Sequence, residues 1–370
     1  MAESDTPSPP TGRSRRREAV EVSEGDSRPF RLLAVDGGPA GLLSTLIMQQ
    51  LIEGVPDILT DLDAYVGTSS GGIAALMLAS HPTTVAPVLN SLQTLWSSPA
   101  ILTGGTGIPP SLVASLLGTC SFLPNTGIRK YLSLPDNLGT RTLGSLLPKL
   151  VITPSYYMNP LPVVNQAGPV IFSNDDPKNE GVLAVDAAMA TSAAPLSVPV
   201  YYGYVDGGLY ANTPIMVAIG EFFRLRRQQE KISGALMATT PRAKGRELLI
   251  LSIGTGQPQD KVVVNGSALV PWGYLDWLLS IFDPLRLVST AFYGGAEEIV
   301  RQAGYIMPEG NFWRLNVNYQ DSGPSIPFLQ ANPKVLEDTA KSSQTKQAVA
   351  AAISWAKSSG WLGPLPPNGG

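Results

Sequence analysis

Twice near the start of the chain a short apolar run ends in a glycine turn and gives way to a helical pattern, an arrangement that few folds accommodate. Arg31 to Val35 leads into Asp36-Gly37-Gly38, and Gly41 to Ile52 then carries Leu42, Leu46, Met48 and Leu51 at near-helical spacing. The second unit repeats the plan, with Leu62 to Val66 as strand, Gly67 to Gly72 as turn and Ile73 to Ala79 as helix. Successive units of this kind feed strands into crossover helices, which places a parallel sheet between two helical layers. The expected fold class is therefore α/β, a three-layer α/β/α sandwich with a mainly parallel central sheet. Val170 to Ser173, Val200 to Val205 and Leu248 to Ile253 read as further strands, the last apolar enough for a central place.

Other segments depart from this rhythm. Residues 97 to 140 hold the turn-rich ILTGGTGIPP and a patchy apolar stretch, and read as a mobile flap. Pro271 to Phe292 reads as a bulky helix with Trp272, Leu275, Trp277, Leu278 and Leu279, which suits either a buried core element or the mouth of an acyl pocket. Lys334 to Lys357 reads as one surface helix, followed by a frayed GPLPPNGG. Residues 1 to 28 have almost no apolar side chains to offset the entropy of ordering and read as a disordered tail.

Several functions are excluded by what the chain lacks. A net charge of -3 without a basic stripe gives no attraction to nucleic acid. Cys120 is the single cysteine, so no intrachain disulfide, thiolate zinc site or two-cysteine redox motif can form. The early sequence has no apolar leader, and no later run has the roughly 18 uninterrupted apolar residues of a membrane span. A soluble, cytoplasmic protein is the expectation.

Gly67-Thr68-Ser69-Ser70-Gly71 fits G-x-S-x-G, the sharp strand-to-helix turn that lifts a serine hydroxyl above a sheet. The amides opening the next helix favour negative charge developing beside that hydroxyl. Such a serine needs a base, yet His81 is the single histidine and stands at the far end of that helix, roughly 18 Å away at 1.5 Å per residue. It is out of reach, so the proton must pass to a carboxylate or a lysine. Asp206 is the preferred carboxylate: it closes the apolar run VYYGYV and opens Gly207-Gly208-Leu209-Tyr210-Ala211-Asn212-Thr213-Pro214. Asp36 has a similar place but precedes the first helix, where capping accounts for it. That choice leaves the first glycine turn free to act as an oxyanion hole.

Three blocks, Asp36-Gly37-Gly38, the GTSSGG of Gly67 to Gly72, and VDGGLYANTP around Asp206, together resemble the signature segments of patatin-like phospholipases. The flanking ATSAAP at Ala190 to Pro195, LSIGTG at Leu251 to Gly256 and the tryptophan-bearing WGYLDWL are similar to that family too. The resemblance covers about Phe30 to Asn318 and implies a patatin-like fold with a serine–aspartate dyad and no histidine. One block departs from the family's D-G-G-G-x-[RK]-G: here it reads Asp36-Gly37-Gly38-Pro39-Ala40-Gly41, with a proline that has no amide hydrogen and without the Arg or Lys.

The expected reaction is hydrolysis of a carboxylic ester, with a lipid or other acyl ester as substrate. Ser69 is the nucleophile, Asp206 its base, and the amides of Gly37, Gly38 and Ser70 hold the oxyanion, supported by Gly67, Gly71, Gly72, Gly207 and Gly208. No metal or organic cofactor is implied, and a transient contact with a membrane surface stays open. The expected organisation is a tail to residue 28, a catalytic domain over 29–325 and a helical extension over 326–370. Two other readings stand beside it: an acyltransferase or thioesterase using the same dyad, and a lipid-binding module whose hole has decayed.

Overall fold

The computed structural model describes residues 28–104, 121, 123–158, 167–195, 197–231, 243–258, 286–320 and 331–363. The tail through residue 27, most of the bulky helix expected from 271, the chain after 363 and the centre of the segment read as a flap lie outside the described residues.

Both strand–turn–helix units form where the sequence places them: β1 (Phe30–Val35) runs into α1 (Gly41–Gly54), and β2 (Ala64–Gly67) into α2 (Ser70–Ser80). Next come α3 (Val85–Ser97), α4 (Pro99–Leu102), α5 (Thr126–Leu132), β3 (Leu150–Tyr157) and β4 (Gly168–Ser173). They are followed by α6 (Ala184–Thr191), β5 (Tyr204–Asp206), the single turn α7 (Gly208–Ala211), α8 (Ile215–Lys231) and β6 (Leu248–Ile253). After the short β7 (Gln257–Pro258) come α9 (Arg286–Ile306), β8 (Phe312–Leu315), β9 (Asn318–Tyr319), α10 (Pro333–Lys341) and α11 (Ser343–Ser358).

The main sheet has the order β4-β3-β2-β1-β6-β8, with β5 also paired to β3. All neighbours from β3 through β8 are parallel, while β4 and β5 pair antiparallel to β3. Side chains alternate between two cores, as the pleat requires. Leu33, Val35, Leu249, Leu251 and Ile253 face the layer that includes α1, α2 and α3, whereas Phe30, Leu32, Ala34, Leu248 and Ile250 face α8 and α9 through Phe222, Leu225 and Ala303. The chain is thus a three-layer α/β/α sandwich. No helix among the described residues is long and apolar enough to cross a membrane.

The register of β3 decides where the site can be. Along one edge, Leu150–Ile152 pair with β2, while Ser155–Tyr157 pair with β5 arriving from the opposite direction. The other edge is taken by β4. The C-terminal ends of β2 and β5 therefore point toward one another along a shared edge, and the residues that follow each strand are brought together.

Three local expectations need correction. β5 is only Tyr204–Asp206, because Tyr202 (φ 47) and Gly203 (φ 84) fold the expected strand into a tight turn bridged by Tyr201 and Tyr204. The single helix over Lys334–Lys357 is two, broken at Ser342, whose hydroxyl accepts the Thr345 amide at 3.2 Å and caps the second. Leu336, Ala340, Val349, Ala352 and Trp355 of these helices lie in the same core as α1, and Trp355 donates Nε1–H to the Gly310 carbonyl at 2.6 Å. The described part of the segment read as a flap holds α4 and α5, with Leu123, Ile128 and Leu132 buried.

Candidate active site

Ser69 occupies the turn between β2 and α2 with φ 55 and ψ −123, a conformation that a non-glycine residue holds at a cost of order 1–3 kcal/mol. The turn is sharp because its flanks lack side chains. A Cβ at Gly67 would strike the Gly71 carbonyl, and one at Gly71 would strike the carbonyls of Val35 and Asp36. Hydrogen bonds hold the strained residue: its amide donates to Thr191 Oγ1 at 3.1 Å, and its carbonyl accepts the Ile73 amide at 3.1 Å. Ser70 opens α2, and its hydroxyl donates to the Gly38 carbonyl at 2.9 Å. Gly72 packs beside Thr153 and Thr191. His81 caps the far end of α2 beside Arg141, away from this turn.

Asp206 ends β5 and is 1% exposed. Its Oδ1 accepts the Gly208 amide at 2.7 Å, and Oδ2 is buried with no hydrogen-bond partner of normal geometry. Burial pushes the carboxyl from 3.8 up to about 7, while the neighbouring Ser69 hydroxyl and the Gly208 amide pull it back down. The Ser69 hydroxyl is thus a neighbour of this carboxyl.

Thr191, the C-terminal residue of α6, joins the two halves. Its hydroxyl takes the Ser69 amide and donates to the Pro154 carbonyl, and its own carbonyl accepts the Gly207 amide at 3.2 Å. The Asp206 amide donates to the Ala193 carbonyl at 3.0 Å, so the ATSAAP segment positions both Ser69 and Asp206. Thr191→Val keeps the shape but orphans a buried N–H and a buried carbonyl. We expect it to lower stability by about 2 kcal/mol in urea denaturation, and Thr191→Ser to retain most of that.

The first glycine turn is held from every side. Gly37 N–H donates to the Asn212 carbonyl at 2.9 Å, the Gly37 carbonyl accepts the Thr255 hydroxyl at 2.9 Å, and the Pro39 carbonyl accepts the Ala331 amide at 3.1 Å. Gly38 adopts φ 145, with Thr255 packed where a Cβ would stand. One expected oxyanion donor is therefore lost, because the Gly37 hydrogen is already committed. The amides of Gly38 and Ser70 have no acceptor among the described residues. The N-terminus of α2 adds its positive end to the same place.

Asp36 does not cap α1, whose N-cap is Ala40 without a side-chain bond. Instead it is buried and takes Arg314 of β8 in a two-point ion pair, with Nη1 to Oδ1 at 2.8 Å and a closer contact from Nη2 to Oδ2. Thr213 donates to the same carboxylate at 2.9 Å, and Ser252 of β6 accepts Arg314 Nη1 at 2.7 Å. Arg314 is what sequence reading missed. Its signal was an arginine inside the apolar run Phe312–Leu315.

The family model described as Patatin-like phospholipase matches residues 36–219, a span that opens on the first glycine turn and takes in Ser69, Asp206 and Asn212. The chain belongs to the patatin-like phospholipase family. Similar family members include Patatin-like protein 2 of Arabidopsis thaliana, 28% identical over 278 residues that make up 67% of this chain and 65% of that protein. Patatin-like protein 1 of Oryza sativa subsp. indica is 28% identical over 291 residues, 70% of this chain and 66% of the relative. The cGAMP-activated phospholipase of Escherichia coli (strain TW11681) is 28% identical over 258 residues, 64% of each chain. The chain thus spans 65–66% of the length of the two plant relatives.

Proposed function

We propose that the protein hydrolyses carboxylic ester bonds of lipids through an acyl-enzyme formed on Ser69, with Asp206 as base. The observation that carries this reading is the Asp206 carboxyl, buried with an open Oδ2 beside the hydroxyl of a serine held at a strained elbow. A buried acceptor without a partner is costly, and a proton arriving from Ser69 would satisfy it. The family's description and the name of the Escherichia coli relative support a phospholipid-type ester as substrate.

In the first half-reaction Ser69 Oγ attacks the acyl carbonyl carbon as its proton passes to Asp206. The oxyanion is held by the amides of Gly38 and Ser70. The ester C–O bond breaks, and the leaving alkoxide takes the proton from Asp206. Water then gives a proton to Asp206 and attacks the acyl carbonyl, the bond to Oγ breaks, and Ser69 recovers the proton as the fatty acid leaves. A carboxyl near 7 suits this exchange, because it holds and releases a proton near neutral pH.

The test is labelling of the full chain with a fluorophosphonate. Labelling should vanish in Ser69→Ala and fall sharply in Asp206→Asn, and fatty acid should be released from a phospholipid extract by the wild type alone. Since Asp206 must be ionised to accept a proton, kcat/KM should rise tenfold per pH unit below about 7 and level off above it. A wild-type protein left unlabelled, or a flat profile from pH 5 to 9, would refute the reading.

A further inference from the structure

Asn212 holds a buried polar group that the chemistry above does not use. It follows α7 and is 7% exposed, and its Oδ1 is buried with no hydrogen-bond partner. Its Nδ2 makes no hydrogen bond among the described residues and, unlike Oδ1, is not sealed from solvent. The backbone of the same residue is fixed, because its carbonyl accepts the Gly37 amide at 2.9 Å. A Cβ built on Gly37 would lie 2.5 Å from Asn212 Oδ1 and 3.1 Å from Ser69 Cβ, so the amide and the serine abut the same point of the glycine turn.

We propose that the Asn212 side-chain amide is a catalytic residue, donating a third hydrogen bond from Nδ2 to the acyl carbonyl oxygen as it becomes an oxyanion. The inference rests on the reading of Ser69 as nucleophile. It follows from a shortage of donors in the first glycine turn. Of Gly37, Gly38 and Pro39, Pro39 has no amide hydrogen and that of Gly37 is committed to the Asn212 carbonyl, which leaves only the Gly38 amide open among the three. A growing negative charge in a buried site is stabilised by each donor aimed at it. A half-turn about χ2 exchanges the two ends of the amide, so an incoming carbonyl selects the orientation that presents Nδ2.

A purely structural asparagine would behave differently on truncation. Asn212→Ala keeps the backbone carbonyl that holds Gly37 and deletes an unpaired buried oxygen, so the fold loses no hydrogen bond. The experiment compares wild type, Asn212→Ala and Asn212→Asp in the full chain. It follows p-nitrophenyl butyrate hydrolysis, inhibition by an alkyl trifluoromethyl ketone, whose Ser69 adduct carries an oxyanion, and the melting temperature. Asn212→Ala should lower kcat about 10²-fold, leave KM within about threefold, weaken the ketone in proportion to kcat, and melt at or above the wild-type temperature. Asn212→Asp, which puts a carboxylate against the oxyanion, should be at least as slow. Wild-type kcat in Asn212→Ala, or a loss of kcat matched by a fall in melting temperature, overturns the proposal. Failure of fluorophosphonate to label wild-type Ser69 would instead remove the nucleophile, and this inference with it.

Discussion

Asp206→Asn is expected to lower ester turnover by roughly 10³–10⁴ and at the same time to make the folded protein more stable above pH 7. The two effects have one cause. The carboxyl is 1% exposed, and burial raises it from 3.8 to about 7, so the fold disfavours the ionised form that the proposed mechanism needs. A group whose folded pKa is raised contributes stability that is complete below the unfolded value and lost as pH rises through the folded one. The window here runs from about 4 to about 7, and a shift of this size corresponds to roughly 4 kcal/mol once the carboxylate is fully ionised. Asparagine carries no charge, keeps an oxygen for the Gly208 amide and can direct its nitrogen toward Ser69 Oγ. Allowing for burial of the extra amide, the net gain at pH 8.5 should be about 2 kcal/mol, and it should vanish or reverse at pH 4. Urea denaturation of both proteins at the two pH values measures it. A variant no more stable than wild type at pH 8.5 would show that the carboxylate is better solvated than its burial implies.

The parts of this site that sequence reading recovered are those set by backbone sterics over a few residues. Gly67 and Gly71 must be glycine because each faces a carbonyl, so the elbow around Ser69 was legible as a pattern. The strands β1, β2 and β6 begin and end within two residues of their expected bounds, because apolar runs flanked by turns leave little choice. β3 was not foreseen, although it organises the site. Pro154 interrupts its run, and proline in a strand argues against a central place. The exception has a reason: Pro154 falls between Ile152, the last residue paired to β2, and Ser155, the first paired to β5, where the shared edge changes partner. Thr191, Thr255 and Asn212 all lay inside segments singled out as family-like, but their roles depend on contacts with residues far away in sequence. Asp36 was assigned to a helix cap by the same local logic, and only the strand order β1-β6-β8 brings Arg314 to it.

That ion pair supports the second large prediction. Arg314 reaches from β8 past Ser252 of the intervening β6 to Asp36 at the end of β1, and its partner carboxylate is 6% exposed. Taking away one member of a buried pair leaves the other charge without compensation, which typically costs 3–5 kcal/mol, on the order of half the stability of an ordinary domain. Arg314→Met preserves the aliphatic stem and removes the guanidinium, leaving only the Thr213 hydroxyl on the Asp36 carboxylate. It should therefore lower stability by about 4 kcal/mol. Adding Asp36→Asn should restore much of that loss, because a neutral pair carries no buried charge. A double-mutant cycle by urea denaturation should give a coupling of about 2 kcal/mol or more. If the double variant is as unstable as Arg314→Met, the loss comes from packing around the arginine stem and not from charge. Activity separates the two cases again: Asp36 leads directly into Gly37 and Gly38, so a carboxylate deprived of its anchor should let the glycine turn move. In that event Arg314→Met would lose kcat at temperatures where it remains folded, and the double variant would regain part of it.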